Sequence, residues 1–359
     1  MSPTEGTIGK PTEKGRLNMK KLILTDYDRQ VYEKELASFL PDKMLDAHVH
    51  VSIGGLTPHG KRNGGSTWTA YLDNHMSAAE LTEINKILLP NQKVNSLIFG
   101  LCLSDIEQMN AFVLETNKDY NYPMLYRTDY SQTPEELEEK VKAGGFLGLK
   151  PYITCSPSYI PAGEIRIFDY LPESHLEVAN KNGWIVMLHI PRADRLRDPV
   201  NIAQIMEIDR KYPNVKLIVA HVGRAYSRAD FGNAFEIIKE SKNLYFDFTA
   251  NVLDDAITEA IKCVGVDRVI YGTDLPIALM RMYRIVEDGV YYNVVPKGLY
   301  GDVNGQPHMR EAKDGENITL MIYEQLKAFK RSAMALGLKD SEVEKVLFSN
   351  ADKLIKSVK

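Results

Sequence analysis

Eight apolar runs alternate along the chain with stretches that are typical of helices, and this rhythm constrains the fold more than any other feature of the sequence. The first run is MLDAHVHV at 44–51, and the others lie at 96–103, 123–130, 146–154, 184–192, 216–224, 244–250 and 268–276. Apolar strands interleaved with helices predict a parallel sheet covered by helices. Eight such units over about 230 residues predict an α/β fold of the (β/α)₈ TIM-barrel class, formed as a single domain.

Two of the intervening segments carry clear helix-end signals. TPEELEEKVKAGG has a threonine cap, acidic residues in its first turn and glycine at its end, and DPVNIAQIMEIDRKYP stops before a proline. The alternative, an open doubly wound sheet that binds a dinucleotide, is disfavoured. The first strand is followed by SIGGLTPHGKRNGG, in which the glycine spacing is wrong and no helix begins.

The chain divides into a short extension and the barrel. Residues 1–18 are rich in Gly, Pro, Lys and Thr and are expected to be disordered, whereas residues 19–359 form the barrel domain. A long loop follows the eighth strand, at about 277–317, and loops of that length are usually functional or disordered. Its four tyrosines, at 283, 291, 292 and 300, favour an ordered lid over the barrel mouth.

Composition excludes several classes of protein. The net charge is −4 and the 44 basic residues are scattered, which argues against a nucleic-acid partner. No apolar window is long enough to cross a bilayer, so we expect no membrane association. Cys102, Cys155 and Cys263 lie far apart without CxxC spacing, which favours a reducing, cytoplasmic compartment over a disulfide framework. The expected partner is a small-molecule substrate.

Polar residues stand at the ends of several predicted strands, where a TIM barrel builds its active site. His48 and His50 end the first strand, and alternation along a strand predicts that they share one face while Ala47 and Val49 share the other.

Three more polar residues end later strands. His189 ends the fifth, His221 the sixth and Asp274 the eighth. One histidine after an apolar run is more often a core residue than a ligand, but four histidines and an aspartate at strand ends are hard to attribute to chance. Imidazole and carboxylate suit zinc, iron, manganese or cobalt. Of the other histidines, His59 could reach the pocket, and His75, His175 and His308 are expected to face solvent.

Five motifs together make the sequence recognisable: DAHVH, LHIPR, AHVGR, YGTDLP and VLFSNADKL. Over residues 44–357 they resemble the amidohydrolase superfamily, and most closely its amidohydrolase-related branch, which includes lactonases beside aminocarboxymuconate-semialdehyde and resorcylate decarboxylases. The resemblance implies one divalent metal ion, zinc first, with manganese, iron or cobalt as alternatives. The implied ligands are His48, His50, His189 and Asp274.

The resemblance leaves the number of metal ions open. His221 would be an acid/base or polarising residue, or a ligand of a second metal. Lys150, in GLKPY, could be a carboxylated bridge between two metals, but we favour a lysine that pairs with a carboxylate beside one metal. In catalysis Asp274 would accept the proton of a metal-activated water, and His221 would hydrogen-bond the developing oxyanion.

Substrate-binding candidates lie around this site. Arg192 and Arg224 are three residues beyond His189 and His221 and could grip a carboxylate, or could form ordinary salt bridges. Lys150 is a further candidate. Tyr152, Tyr226 and Asn251 are candidates for lining the pocket.

The leading function is a hydrolase acting on a lactone, ester or amide bond of a small, carboxylated substrate. The alternatives are a non-oxidative decarboxylase of an aromatic or muconate-type acid, and a ligand-binding barrel without catalysis. A homo-oligomer is left open.

Overall fold

The eight predicted strands form one parallel sheet in sequential order. The computed structural model describes residues 22–53, 75–101, 105–303 and 305–358. Hydrogen bonds from Ala47 N to Tyr271 O (2.9 Å) and from His50 N to Leu275 O (2.8 Å) join the first strand to the eighth and the segment after it. The TIM-barrel prediction is therefore confirmed. The strands are β1 Lys43–Val51, β2 Lys93–Gly100, β3 Met124–Arg127, β4 Gly148–Lys150, β5 Ile185–Leu188, β6 Lys216–Val219, β7 Leu244–Asp247 and β8 Val269–Ile270.

Helices lie between the strands and after them, and the predicted end signals are present. Thr133 caps α4 in a capping box with Glu136, and Asp198 caps α6 by accepting from two backbone amides. The helices are α1 Asp26–Val31, α2 Ala78–Leu88, α3 Ile106–Asn117, α4 Pro134–Ala143, α5 Glu173–Asn182, α6 Pro199–Lys211, α7 His221–Arg224, α8 Arg228–Phe231, α9 Ala234–Ile238, α10 Asp254–Val264, α11 Met321–Leu336, α12 Asp340–Glu344 and α13 Asn350–Lys356.

The strands separate two apolar cores. The inner core consists of strand residues such as Phe99, Met187 and Ile218, together with Ala351 and Leu354 of α13, which seal one end of the barrel. The outer core lies between the strands and the surrounding helices. Successive residues of a strand alternate between these cores, so a polar residue that continues the inner series projects into the barrel.

Strand β1 contains an irregularity that decides where its histidines lie. The register with β2 shifts between Asp46 and Val49, where β1 carries one residue more than its partner. Ala47 packs in the inner core and Val49 in the outer core, so the prediction that these two residues share a face is wrong. The extra residue changes the phase of the alternation, which brings His48 and His50 together above the inner core.

Several strands end earlier than predicted. β8 stops at Ile270, four residues before Asp274, and β6 stops two residues before His221. His221 and Asp274 therefore lie in the segments that follow the strands, where loop conformation also decides the direction of their side chains.

The segment predicted as a lid is ordered and contains a second, three-stranded sheet of order β11-β10-β9. The Tyr291 hydroxyl accepts a hydrogen bond from Arg195 in the loop after β5, and Arg284 donates to Ala250 O after β7. The segment thus packs on the loops at the barrel mouth, while narrowed access to the site stays a prediction. Its strands are β9 Tyr283–Glu287, β10 Val290–Val295 and β11 Met309–Glu311.

The remaining predictions have mixed outcomes. Residues 1–18, Cys102 and His59 lie outside the described residues. His175 was expected to face solvent, but it is fully buried and its Nε2 lies 2.8 Å from Gln132 O. Within the described ranges, no helix combines the length and the apolar character needed to cross a membrane.

Candidate metal centre

Three side chains meet at the carboxyl end of the barrel with the chemistry of a metal site. One potential ligand atom from each of His48, His50 and Asp274 lies within 4.8 Å of the others. Asp274 Oδ1 is 2.9 Å from His50 Nε2 and 3.7 Å from His48 Nε2. Two imidazole nitrogens and a carboxylate oxygen suit zinc and similar divalent ions. The residues therefore fit the metal that the sequence predicts.

Asp247, at the end of β7, orients the first histidine. Its Oδ2 is 2.9 Å from His48 Nδ1, and both groups are almost completely buried. A carboxylate oxygen accepts the Nδ1 proton, which leaves the Nε2 lone pair of His48 free to bind a metal. Asp247 Oδ1 accepts from His221 N at 2.7 Å and from Thr249 N at 3.1 Å.

Tyr152 orients the second histidine. Its hydroxyl donates to Gly100 O at 2.8 Å and lies 3.1 Å from His50 Nδ1. Because the hydroxyl proton is used on the carbonyl, the same oxygen accepts the Nδ1 proton of His50. In this tautomer the Nε2 lone pair of His50 is available to a metal ion. Tyr152 was predicted to bind substrate, and its observed contacts make it a partner of a metal-ligand candidate.

The environment favours the protonation states that metal binding requires. Burial, reinforced by the charge of Lys150, holds the pKa of His48 well below its usual range. Burial also lowers the pKa of His50, although the neighbouring Asp274 carboxylate, which favours a protonated imidazole, opposes this. For Asp274, burial would raise the pKa, but the contacts with His50 and the other histidines outweigh it and lower the pKa. Neutral imidazoles beside a carboxylate are the ligand forms.

His189 and His221 lie beside this group. The His221 ring centroid is 5.0 Å from that of His48 and 5.1 Å from that of His189. His189 Nδ1 is buried and has no hydrogen-bond partner among the described residues, which fits a ring nitrogen that would contact a bound metal or substrate. His189 is not part of the three-residue group, so its role as the fourth ligand stays a prediction.

His221 stands on a strained backbone. It begins α7, where φ is positive at every residue from His221 to Arg224, although only Gly223 is a glycine. Val222 is β-branched and has φ 47° and ψ 44°, a conformation that is a real outlier for such a residue. His221 N donates to Asp247 Oδ1, and His221 Nδ1 donates to Thr249 O at 3.2 Å; these two hydrogen bonds hold the imidazole in this turn.

Two buried cations complete the wall of the barrel mouth. Lys150 Nζ lies 4.8 Å from the ring centroid of Phe99 and 5.3 Å from that of Tyr152. Arg127, at the end of β3, lies 5.7 Å from the same tyrosine ring. The Lys150 ammonium is therefore beside the histidines, where it could stabilise a substrate carboxylate or an oxyanion.

The other predicted substrate residues contact the protein itself. Arg192 Nε pairs with Asp198 at 3.0 Å. Arg224 donates from Nη1 to three carbonyl oxygens after β5 at 3.3 to 3.4 Å. Asn251 is buried and its Nδ2 donates to Thr249 O at 3.2 Å. Contact of these three residues with a substrate stays a prediction.

Sequence reasoning missed several residues of this region. Asp247 follows the apolar residues LYF of the seventh predicted strand and ends the observed β7, so the criterion that selected His189 could also have found it. Arg195 and Arg284 lie in a loop and in the lid segment, where no sequence signal marked them. Both are buried against aromatic rings of the barrel mouth.

The family model described as amidohydrolase matches residues 101–356. The chain belongs to the amidohydrolase family. The predicted resemblance is thereby confirmed. No curated protein matches the chain.

Solved structures support the amidohydrolase barrel. An amidohydrolase from Burkholderia multivorans with bound HEPES aligns with a TM-score of 0.57 and 12% identity, over 87% of this chain and 99% of that one. A probable 2-pyrone-4,6-dicarboxylic acid hydrolase from Acinetobacter baumannii with bound citric acid aligns with a TM-score of 0.52 and 13% identity, over 87% of this chain and 99% of that one. A dihydroxybenzoic acid decarboxylase from Polaromonas, with bound manganese and 2-nitroresorcinol, aligns with a TM-score of 0.51 and 13% identity, over 88% of this chain and 97% of that one. At these identities the likeness establishes the fold.

Proposed function

We propose that this amidohydrolase is a metal-dependent hydrolase that cleaves a lactone, ester or amide bond in a small, carboxylated substrate. The observation that carries the proposal is the convergence of His48, His50 and Asp274, with Asp247 and Tyr152 fixing the two imidazoles. Zinc and manganese in similar barrels support a divalent ion, and zinc is our first choice. His189 is proposed as its fourth ligand.

The residues of the chain have distinct roles in the proposed reaction. A bound divalent ion lowers the pKa of water towards neutrality and polarises a carbonyl group. The Asp274 carboxylate accepts the proton of the attacking water and returns it to the leaving group. His221 uses its Nδ1 proton on Thr249 O, so it donates a hydrogen bond to the developing oxyanion from Nε2 as an imidazolium, and the Lys150 ammonium adds positive charge on the same side.

A non-oxidative decarboxylase is the second candidate, because the Lys150 ammonium can also hold a substrate carboxylate that is to be lost. The buried Lys150 beside the histidine pair is the observation that favours it. In this reaction the substrate carbon takes up a proton, for which Asp274 or His221 is the donor. The two reactions differ in product, since hydrolysis consumes water and decarboxylation releases carbon dioxide.

Metal analysis followed by a substrate screen tests the proposal. We expect one equivalent of divalent metal in the purified protein, and loss of activity in a chelator that is reversed by adding the metal. The screen pairs lactones, esters and amides with aromatic and muconate-type acids, and it records acid release and carbon dioxide separately. Hydrolysis without metal, or carbon dioxide as the product, contradicts the leading function.

Variants connect the metal to the site. His50→Ala and Asp274→Ala should lose metal, whereas His75→Ala, a partly exposed histidine outside the group, should retain it. Full metal content in both site variants would assign the metal to another place. A protein that keeps its metal and binds substrates without turnover would instead be a non-catalytic binding barrel.

A further inference from the structure

Two arginines and two tyrosines form a compact cluster at the barrel mouth, and we call Arg195 and Arg284 the arginine pair. Arg195 comes from the loop after β5, and Arg284 comes from β9 in the lid segment. The Arg195 guanidinium lies 5.2 Å from the Tyr226 ring centroid and 4.7 Å from that of Tyr291. For Arg284 the same distances are 4.6 and 4.9 Å. Both cations thus face the same two rings.

The arginine pair carries more positive charge than its protein partners neutralise. Each arginine is only 8% exposed. Arg195 pairs with Asp230 at 2.8 Å, but no carboxylate in the described parts of the chain lies within 4.0 Å of Arg284. Arg284 donates instead to two neutral oxygens, Asn293 Oδ1 at 2.9 Å and Ala250 O at 3.0 Å. Two buried cations that share one carboxylate, Asp230, are costly, so the arrangement suits an anion from outside the protein.

The arginine pair adjoins the candidate metal centre. Ala250 O, which accepts from Arg284, belongs to the residue after Thr249, whose carbonyl oxygen lies 3.2 Å from His221 Nδ1. Arg195 lies six residues after His189 in the loop that follows β5. Neighbouring Cα atoms are about 3.8 Å apart. Neighbouring residues of the segment after β7 therefore hold both His221 and Arg284.

We infer that the arginine pair binds a carboxylate group of the substrate, away from the bond that is cleaved. A guanidinium presents parallel donors that match a carboxylate, and burial strengthens the attraction. This role is separate from the one predicted for Arg192 and Arg224, whose donors contact Asp198 and backbone carbonyls. The inference rests on the proposed function for the substrate, but binding can be measured without turnover.

Paired ligands test the inference. Calorimetry measures the affinity of benzoate and succinate, and of their neutral amides, for the protein as purified and after metal removal. Both the purified and the metal-free protein should bind each carboxylate more tightly than its neutral amide. Arg284→Gln should weaken carboxylate binding about tenfold or more, with amide binding unchanged. Arg284→Lys keeps the charge and should have an intermediate effect.

Arg310→Gln is the matched control, because Arg310 is an arginine of the same small sheet that pairs with Glu287 in solvent. It should leave both affinities unchanged. Thermal unfolding of every variant separates lost binding from lost folding, and the folded lysine variant keeps the test decisive.

Three results would overturn the inference. The first is equal binding of carboxylate and amide in every ligand pair. The second is a carboxylate preference that survives Arg284→Gln, and the third is a carboxylate preference that disappears when the metal is removed. Displacement of benzoate by inorganic phosphate at equal affinity would assign the arginine pair to free anions, which also contradicts a substrate site. A protein that keeps the preference but hydrolyses nothing would refute the proposed function alone.

Discussion

His48 and Asp247, almost two hundred residues apart in the sequence, share a buried hydrogen bond of 2.9 Å between Nδ1 and Oδ2. Asp247 also holds His221 through its other oxygen, which accepts the His221 amide. One carboxylate therefore sets the tautomer of a metal-ligand candidate and the position of a catalytic candidate. Asp247 has the supporting role that ligating histidines usually require.

Asp247→Asn should lower metal affinity by about 10- to 100-fold. The two backbone N–H groups that donate to Oδ1 would keep the asparagine side-chain oxygen in that position, so the asparagine NH₂ group would face His48 Nδ1. His48 Nδ1 would then have to accept a hydrogen bond, so the imidazole proton would move to Nε2, where it blocks metal binding. The measurement is metal affinity by competition with a chelating dye.

Asp209→Asn is the control, because Asp209 also accepts from two backbone amides but lies in α6, away from the site. It should keep the metal affinity of the original protein. An equal loss of metal in both variants would mean that general destabilisation, and not the tautomer of His48, causes the effect.

The strand-end rule identified His48, His50 and Asp274 because the barrel brings the ends of all its strands to one mouth. It could also have identified Asp247 in LYFDF. It could not choose Arg195 over Arg192, because Arg195 has φ 60° in a loop whose path the sequence does not reveal. Arg284 depends on the pairing of β9 with β10, for which no periodic signal exists in the long loop.

His221→Ala should keep metal content near its original value while turnover falls by about 10²–10⁴-fold. A positioned proton-transfer or oxyanion residue contributes to the transition state and not to metal binding. Lys150→Ala should also keep the metal and mainly weaken substrate binding. The measurements are metal stoichiometry, kcat and KM. Release of about half the metal from either variant would indicate two metal ions and place that residue among the ligands.

Gly272→Ala should weaken metal binding, because there is no space for a methyl group behind His48. A Cβ at Gly272 would lie 2.5 Å from Thr249 Oγ1 and 2.8 Å from His48 Cβ, so one of these residues would have to move. Gly163→Ala is the control, since its Cβ would have no neighbour within 4 Å. Metal affinity and thermal unfolding should be measured together. A Gly272→Ala protein with unchanged metal affinity would refute the tight packing of the segment after β8 against His48.

Asp28→Asn should destabilise the protein by about 3–5 kcal/mol at neutral pH, because it leaves a buried ionic contact incomplete. Asp28 is fully buried in α1 and accepts from both Nη atoms of Arg281, at 2.9 and 2.6 Å, and from Thr319 Oγ1 at 2.8 Å. These contacts tie the start of the described chain to the segment after β8.

The same contact predicts how stability depends on pH. Burial opposes ionisation, but the hydrogen bonds from Arg281 and Thr25 outweigh it and lower the pKa of Asp28 below its ordinary value of 3.8. A carboxyl with a lower pKa in the folded state stabilises the fold above its unfolded pKa, and loses that contribution as the pH falls through the folded value. The difference in unfolding free energy between the original protein and Asp28→Asn should therefore be constant near neutrality and shrink below about pH 4. Urea unfolding from pH 7 to pH 3 measures it, with Asp26→Asn, whose carboxylate is exposed, as the control that should change little. A difference that stays constant down to pH 3 would mean that the charge of Asp28 contributes nothing through Arg281.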